Sequence, residues 1–206
     1  MEKNKIHALV IYALFVAVIF VLTFTPIGYI NVGIIEITLI HIPVILASFF
    51  LGLKGSIIMG FFFGLSSLLR GLLMPTPMAA AMLGGANGFG LYNLLMVVAI
   101  LFLPRILVGV VAHVMYNLIT PKNNMLGMAV AGVCGSLTNT VLFLGLLYLM
   151  AGPILADMFG TTVGGVATLL FSTVGLLNGT LEAIAAAVIC TAVGKALQAY
   201  LKRRTA

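Results

Sequence analysis

Asn178 and Glu182 sit inside an apolar stretch, residues 169–193, of a grade that enters hydrocarbon. An ionisable carboxyl in such a place costs roughly 2.5–3.5 kcal/mol on membrane-insertion scales, so it faces a cavity or a partner rather than lipid. Helical positions four apart stack on one face. The amide and the carboxyl therefore point the same way, with Gly175 and Gly179 close by to admit something bulky. Three more polar residues share this character. Asn139 lies in a cluster with Ser136, Thr138 and Thr140, Arg70 stands near one end of a long apolar run, and Arg105 follows Pro104 at the start of another. The chemistry this set offers is recognition of a polar molecule. Each member also has a plainer reading: Arg70 and Arg105 snorkelling to the interface, Asn139 bonding between helices, Glu182 pairing internally with Arg105. That all five serve packing alone asks for far more coincidence than any one doing so.

The elements that position them follow from composition. The chain has 206 residues, 63% hydrophobic and 7% charged, whereas about a quarter of a soluble domain is charged. Backbone polar groups in lipid must be satisfied inside helices or closed barrels, and these apolar runs are too long and continuous for barrel strands. The fold class expected is an all-α integral membrane protein. The net charge of +6 does not form a nucleic-acid patch, because the basic residues are spread between the apolar runs and at the ends. Cys134 and Cys190 both lie in apolar segments, so no disulfide framework, metal site or cofactor is expected. Lys3 and Lys5 precede an apolar run with no small-x-small cleavage site, which reads as a retained first helix.

In chain order, a single membrane domain over residues 1–206 is expected, with helices at 7–24, 42–53, 56–73, 104–119, 125–150 and 169–194. Ala13 and Ala17 give the first a small-xxx-small face suited to close approach by another helix. Residues 25–41, broken by Pro26 and Gly28 and rich in β-branched residues, read as an extended loop or short hairpin. Pro43 falls in the first turn of the second helix, where proline is tolerated. Gly60 and Gly64 give the third a GxxxG pair, normally a packing device. Residues 74–90 and 152–165 read as long loops, and Pro104 is expected to open the fourth helix.

Charge settles the status of residues 91–103, which are apolar but short. With six spans and a cytoplasmic N-terminus, Lys3, Lys5, Lys54, Lys122, Lys195, Lys202, Arg203 and Arg204 lie inside, leaving Arg70 and Arg105 outside. A seventh span would keep only Lys3, Lys5, Lys54 and Arg105 inside. The positive-inside rule favours six, with both termini cytoplasmic. At ~1.5 Å per residue, Asn139, Asn178 and Glu182 then lie roughly 13–20 Å below the outer helix ends. Arg70 and Arg105 stand just above them, under long outer loops. That is the outline of a pocket opening outward.

Several segments resemble a known family. They are His41-Ile-Pro-Val-Ile-Leu-Ala47 running into Gly52-Leu-Lys-Gly55, Phe63-Gly-Leu-Ser-Ser67, Pro104-Arg-Ile-Leu-Val-Gly109, Gly135-Ser-Leu-Thr-Asn-Thr140 and Leu177-Asn-Gly-Thr-Leu-Glu-Ala183. The chain resembles the substrate-binding S-components of energy-coupling-factor vitamin transporters, of the pantothenate type. The resemblance implies a multi-pass protein of the cell membrane with a vitamin site among the outer loops and outer helix halves. It further implies that Ala13 and Ala17 dock on a separate transmembrane coupling subunit, with two ATPases beneath it. The chain carries no GxxxxGK[ST] loop of its own. It also has no Trp to stack an aromatic vitamin. For pantothenate, Arg105 or Arg70 would pair the carboxylate, while Asn139, Asn178 and Glu182 would take hydroxyls and amide. Riboflavin, a pyridoxine or thiamine precursor, and folate are the alternative cargoes, and an autonomous small transporter is a further one. An intramembrane enzyme is not expected, because His7, His41 and His113 are scattered and neither HExxH nor GxSxG occurs.

Overall fold

The computed structural model describes residues 2–32, 35–74, 77–82 and 90–205. Helix α1, Glu2–Phe24, is followed by a 3-10 turn, Pro26–Gly28. An antiparallel hairpin comes next, β1 Tyr29–Val32 with β2 Ile35–Thr38, pairing Tyr29 with Thr38 and Val32 with Ile35. The hairpin read from the β-branched run is thus present. Helices α2, His41–Phe50, and α3, Gly52–Leu73, meet at Gly52, whose φ of 67° lets the chain reverse without a Cβ clash.

A short helix α4, Pro77–Met82, lies within the expected 74–90 loop, and residues 83–89 of that loop fall outside the described ones. Then come α5, Leu91–Ile119, α6, Asn124–Phe159, and α7, Val163–Thr168. A π-helical segment, Leu169–Asn178, leads into α8, Gly179–Thr205.

Four of these rods are long and apolar enough to cross a membrane: Gly52–Leu73, Leu91–Ile119, Asn124–Phe159 and Val163–Tyr200, with shorter apolar helices at Ala8–Phe24 and His41–Phe50. Large apolar side chains cover the outside, among them Leu9, Leu14, Leu149 and Val188. A bundle apolar on its exterior as well as its interior is suited to lipid.

Three expectations are corrected. The fourth helix starts at Leu91, not at residue 104, so residues 91–103 form its first half and Pro104 lies in its interior. An interior proline removes the N–H that would bond the carbonyl four residues back. Here that carbonyl belongs to Ile100, and the Arg105 guanidinium takes it, Nη1 donating to Ile100 O at 3.0 Å. The helix is rescued by the residue next to the proline. The fifth helix likewise runs past residue 150 to Phe159 with Pro153 inside it, ending at Gly160 in the left-handed region (φ 62°). The expected 152–165 loop therefore shrinks to a turn, residues 160–162.

Glycines set how closely the helices approach. A Cβ at Gly60 would stand 2.5 Å from Arg105 O, and one at Gly109 2.6 Å from Ser56 O, which locks α3 against α5. Gly132 meets the Ala186 backbone in the same way, joining α6 to α8. Gly64 meets the Phe102 ring, so the GxxxG pair is a packing device. Two apolar clusters result. One gathers Ile19, Ile45, Met59, Phe63, Ala112, Met128 and Cys190; the other, nearer the loops after α3 and α6, gathers Met96, Ile100, Leu144, Leu147, Leu155 and Val166.

Candidate ligand-binding site

Residues of both apolar clusters, with Phe63 from one and Leu144 from the other, line a cavity of about 510 Å³. That is within the range of small-molecule sites. Its wall carries Arg70, Arg105, Asn139, Asn178 and Glu182 together. The five polar residues singled out in the sequence, drawn from α3, α5, α6, the π segment and α8, converge on one space.

Each is held by local structure. Arg70 Nη1 donates to Thr23 O at 2.9 Å, near the C-terminal end of α1, where helix carbonyls lack intrahelical donors. The same turn of α1 is tied to α3 by Thr23 Oγ1 donating to Ser66 Oγ at 2.9 Å. Arg105, only 8% exposed, is fixed by its bond to Ile100 O and by two rings. Its guanidinium carbon lies 4.4 Å from the Phe143 ring centroid and 5.4 Å from that of Phe63. Both distances are cation–π contacts. A desolvated, oriented guanidinium of this kind suits bidentate recognition of a carboxylate.

Glu182 is buried and lines the same cavity. Its Oε1 accepts the Thr38 backbone N–H at 2.7 Å, which fastens strand β2 to α8 at the cavity wall. The side chains of Thr38 and Thr140 also approach it, and Arg105 acts on it electrostatically. Asn139 is buried, and its Oδ1 has no hydrogen-bond partner among the described residues. Gly179 admits the Thr140 side chain at close range, a Cβ there being 3.0 Å from Thr140 Cγ2. Asn178 is the last residue of the π segment, and Val174 within that segment also lines the cavity. Stretches of π-helix recur at functional sites because the wider turn redirects side chains.

Thr38, Ser67, Thr140 and Phe143 complete the wall without having been singled out as binding residues. Ser67 and Thr140 stand in quoted motifs, and Thr140 belongs to the polar cluster of the fifth helix, so that cluster was the available signal. Thr138, in the same cluster, instead back-bonds Cys134 O at 2.7 Å. Ala13 and Ala17 are not among the residues lining this cavity; both are on the exposed side of α1, beside Leu9, Leu14 and Val18. Among the described residues no cluster of His, Cys, Asp and Glu is arranged to hold a metal.

Two comparisons with known proteins bear on this arrangement. The sequence profile described as the substrate-specific component of ECF transporters matches residues 7–194. The pantothenic acid transporter PanT of Lactococcus lactis subsp. cremoris (strain MG1363) is 31% identical over 163 residues, covering 75% of this chain and 74% of that protein. The chain therefore belongs to the substrate-specific components of ECF transporters, and it is a transport component, not an enzyme.

Proposed function

We propose that this chain captures pantothenate at the outer face of the cell membrane and passes it to a separate ATP-driven coupling module. The observation that carries the reading is the charge and hydrogen-bonding inventory of one cavity: Arg70 and Arg105 against Glu182, with Asn139 and Asn178 beside them. Two arginines outnumber the one carboxyl, so the wall is net positive and complements a ligand carboxylate. The amides, Thr38 and Thr140 add neutral donors and acceptors for hydroxyls and an amide. The relative's printed substrate is such a molecule. Aromatic vitamins fit less well. The chain has no Trp, and the Phe63 and Phe143 rings already cover the Arg105 guanidinium.

In this reading the shorter apolar helices Ala8–Phe24 and His41–Phe50 are added to the four candidate spans for a count of six. Lys54, Lys122 and Lys195 then fall on the side of both termini, as the positive-inside rule requires of the cytoplasmic face. The hairpin and the cavity face outward. Ala13 and Ala17 on the exposed side of α1 form the surface for the transmembrane coupling subunit, whose two ATPases supply the energy.

The cargo is tested by thermal unfolding of the purified chain against pantothenate, riboflavin, pyridoxine, a thiamine precursor and folate. A ligand of the folded state raises apparent stability by RT ln(1 + [L]/Kd). A shift with pantothenate alone supports the reading, and a larger shift with another vitamin replaces it. Dependence on partners is tested in liposomes. Uptake that requires the coupling subunit and ATPases, and that fails with Ala17→Trp while binding persists, is the expected result. Uptake by this chain alone contradicts it.

A further inference from the structure

Among the buried polar side chains without a hydrogen-bond partner among the described residues, three fall on the facing helices α2 and α6. They are His41 at both ring nitrogens, Ser136 at Oγ and Asn139 at Oδ1. His41 and Ser136 are fully buried and Asn139 is 7% exposed. Buried polar groups are nearly always paired, with protein, water or ligand, so three orphans in one neighbourhood call for a guest.

The packing places them together. A Cβ at Gly135 on α6 would stand 2.9 Å from Ile45 Cδ1 on α2. One turn further along α2, the Phe49 ring reaches Gly194, which also contacts Met128 of α6. The two helices are therefore antiparallel. One turn the other way, toward the cavity, Ile45 gives way to His41 and Gly135 to Asn139. Ser136 lies three residues before Asn139 on the same face. Thr38, which lines the cavity and bonds Glu182, precedes His41 by three residues. Arg105, also on the wall, is close enough to act on His41 electrostatically.

Donor and acceptor counting narrows the guest. A neutral imidazole offers one donor and one acceptor, a hydroxyl offers both, and Asn139 Oδ1 only accepts. An anion would satisfy the donors and leave the acceptors empty. A cation would do the reverse and would face Arg105. A hydroxyl group serves both kinds at once. We infer that His41, Ser136 and Asn139 form a sub-site at the cavity floor that takes a hydroxyl of the carried molecule, with His41 as its specificity-determining residue. Asn139 lines the cavity and also belongs to the sub-site, so it links the chamber to His41 and Ser136, which are not themselves among the lining residues. This rests on the pantothenate reading, in which the carboxylate engages arginine and the terminal hydroxyl at the far end of the molecule descends to the floor.

The test pairs ligand and protein changes. Wild type, His41→Phe, His41→Gln and Ser136→Ala are titrated with pantothenate and with its analogue lacking the terminal hydroxyl. Deoxygenation is expected to weaken wild-type binding about tenfold or more, the effect of one hydrogen bond to a buried site. In His41→Phe the same change in ligand should matter less than about twofold, with His41→Gln, which keeps a donor and an acceptor, in between. Should His41→Phe fail to fold, Ser136→Ala decides on the same criterion. An undiminished deoxygenation penalty in the variant means that water fills the sub-site and overturns the inference alone. No pantothenate binding by wild type overturns the vitamin reading and the sub-site with it.

Discussion

The two ends of the bundle treat polar side chains differently. At the end opposite the hairpin, Tyr116, Asn124 and Gln198 close a ring of hydrogen bonds. Tyr116 donates to Asn124 at 3.3 Å, Asn124 to Gln198 at 2.6 Å and Gln198 to Tyr116 at 2.9 Å. The Phe49 ring stacks on Tyr116 with centroids 4.5 Å apart. The ring ties α5, α6 and α8 together, and Gly194 admits the Met128 and Phe49 side chains. At the hairpin end, polar groups of the same helices line about 510 Å³ of space, and Asn139 Oδ1 and the His41 nitrogens lack partners among the described residues. A fully satisfied polar network rigidifies one structure, whereas the unpartnered groups at the hairpin end are those the proposed ligand would satisfy. On the proposed function the ring serves stability and the cavity serves recognition, with Thr120 Oγ1 near the ring also buried without a partner among the described residues.

Substitutions at each end should therefore separate affinity from stability. The largest effect is expected from Arg105→Ala, which removes the desolvated cation and its bond to Ile100 O: pantothenate binding should weaken by about 100-fold or more. Titration of the folded variant checks this. Glu182→Gln keeps an acceptor for the Thr38 N–H but loses the charge, and a weakening of about tenfold is expected in the same assay.

Gly109→Leu should reverse the pattern. A side chain there meets Ser56 O, so apparent unfolding temperature should fall by about 5–10 °C while the affinity of the folded fraction stays within about twofold. The smallest effect is expected from Gln198→Ala. Opening the ring should remove about 1 kcal/mol, or roughly 2–4 °C, with no change in affinity. A Gln198→Ala variant that lost binding would break the division between the ends.

Much of this was legible in the sequence because a charged or amide side chain in hydrocarbon is costly enough to be informative by itself. Arg70, Arg105, Asn139, Asn178 and Glu182 stood out for that reason and share one cavity. The hairpin was legible from Pro26, Gly28 and the β-branched run behind them. The full length of α5 was not. A proline normally reads as a helix start or stop, and only the tertiary fact that Arg105 replaces the lost donor at Ile100 O makes it an interior residue. Pro153 misled in the same way inside α6. The π segment before Gly179 leaves no local pattern in sequence. His41 was not singled out as a binding candidate, because its lack of a hydrogen-bond partner among the described residues is a tertiary fact that leaves no mark in the sequence.

The central claim, that this cavity is a receptor for one carboxylate-bearing vitamin, is tested most directly by equilibrium titration of the purified chain with labelled pantothenate. The Arg105→Ala, Glu182→Gln double variant is titrated alongside. The account predicts one site of sub-micromolar Kd in the wild type and loss of that site in a double variant that still folds. Equal binding by both proteins, or none by the wild type, would contradict it.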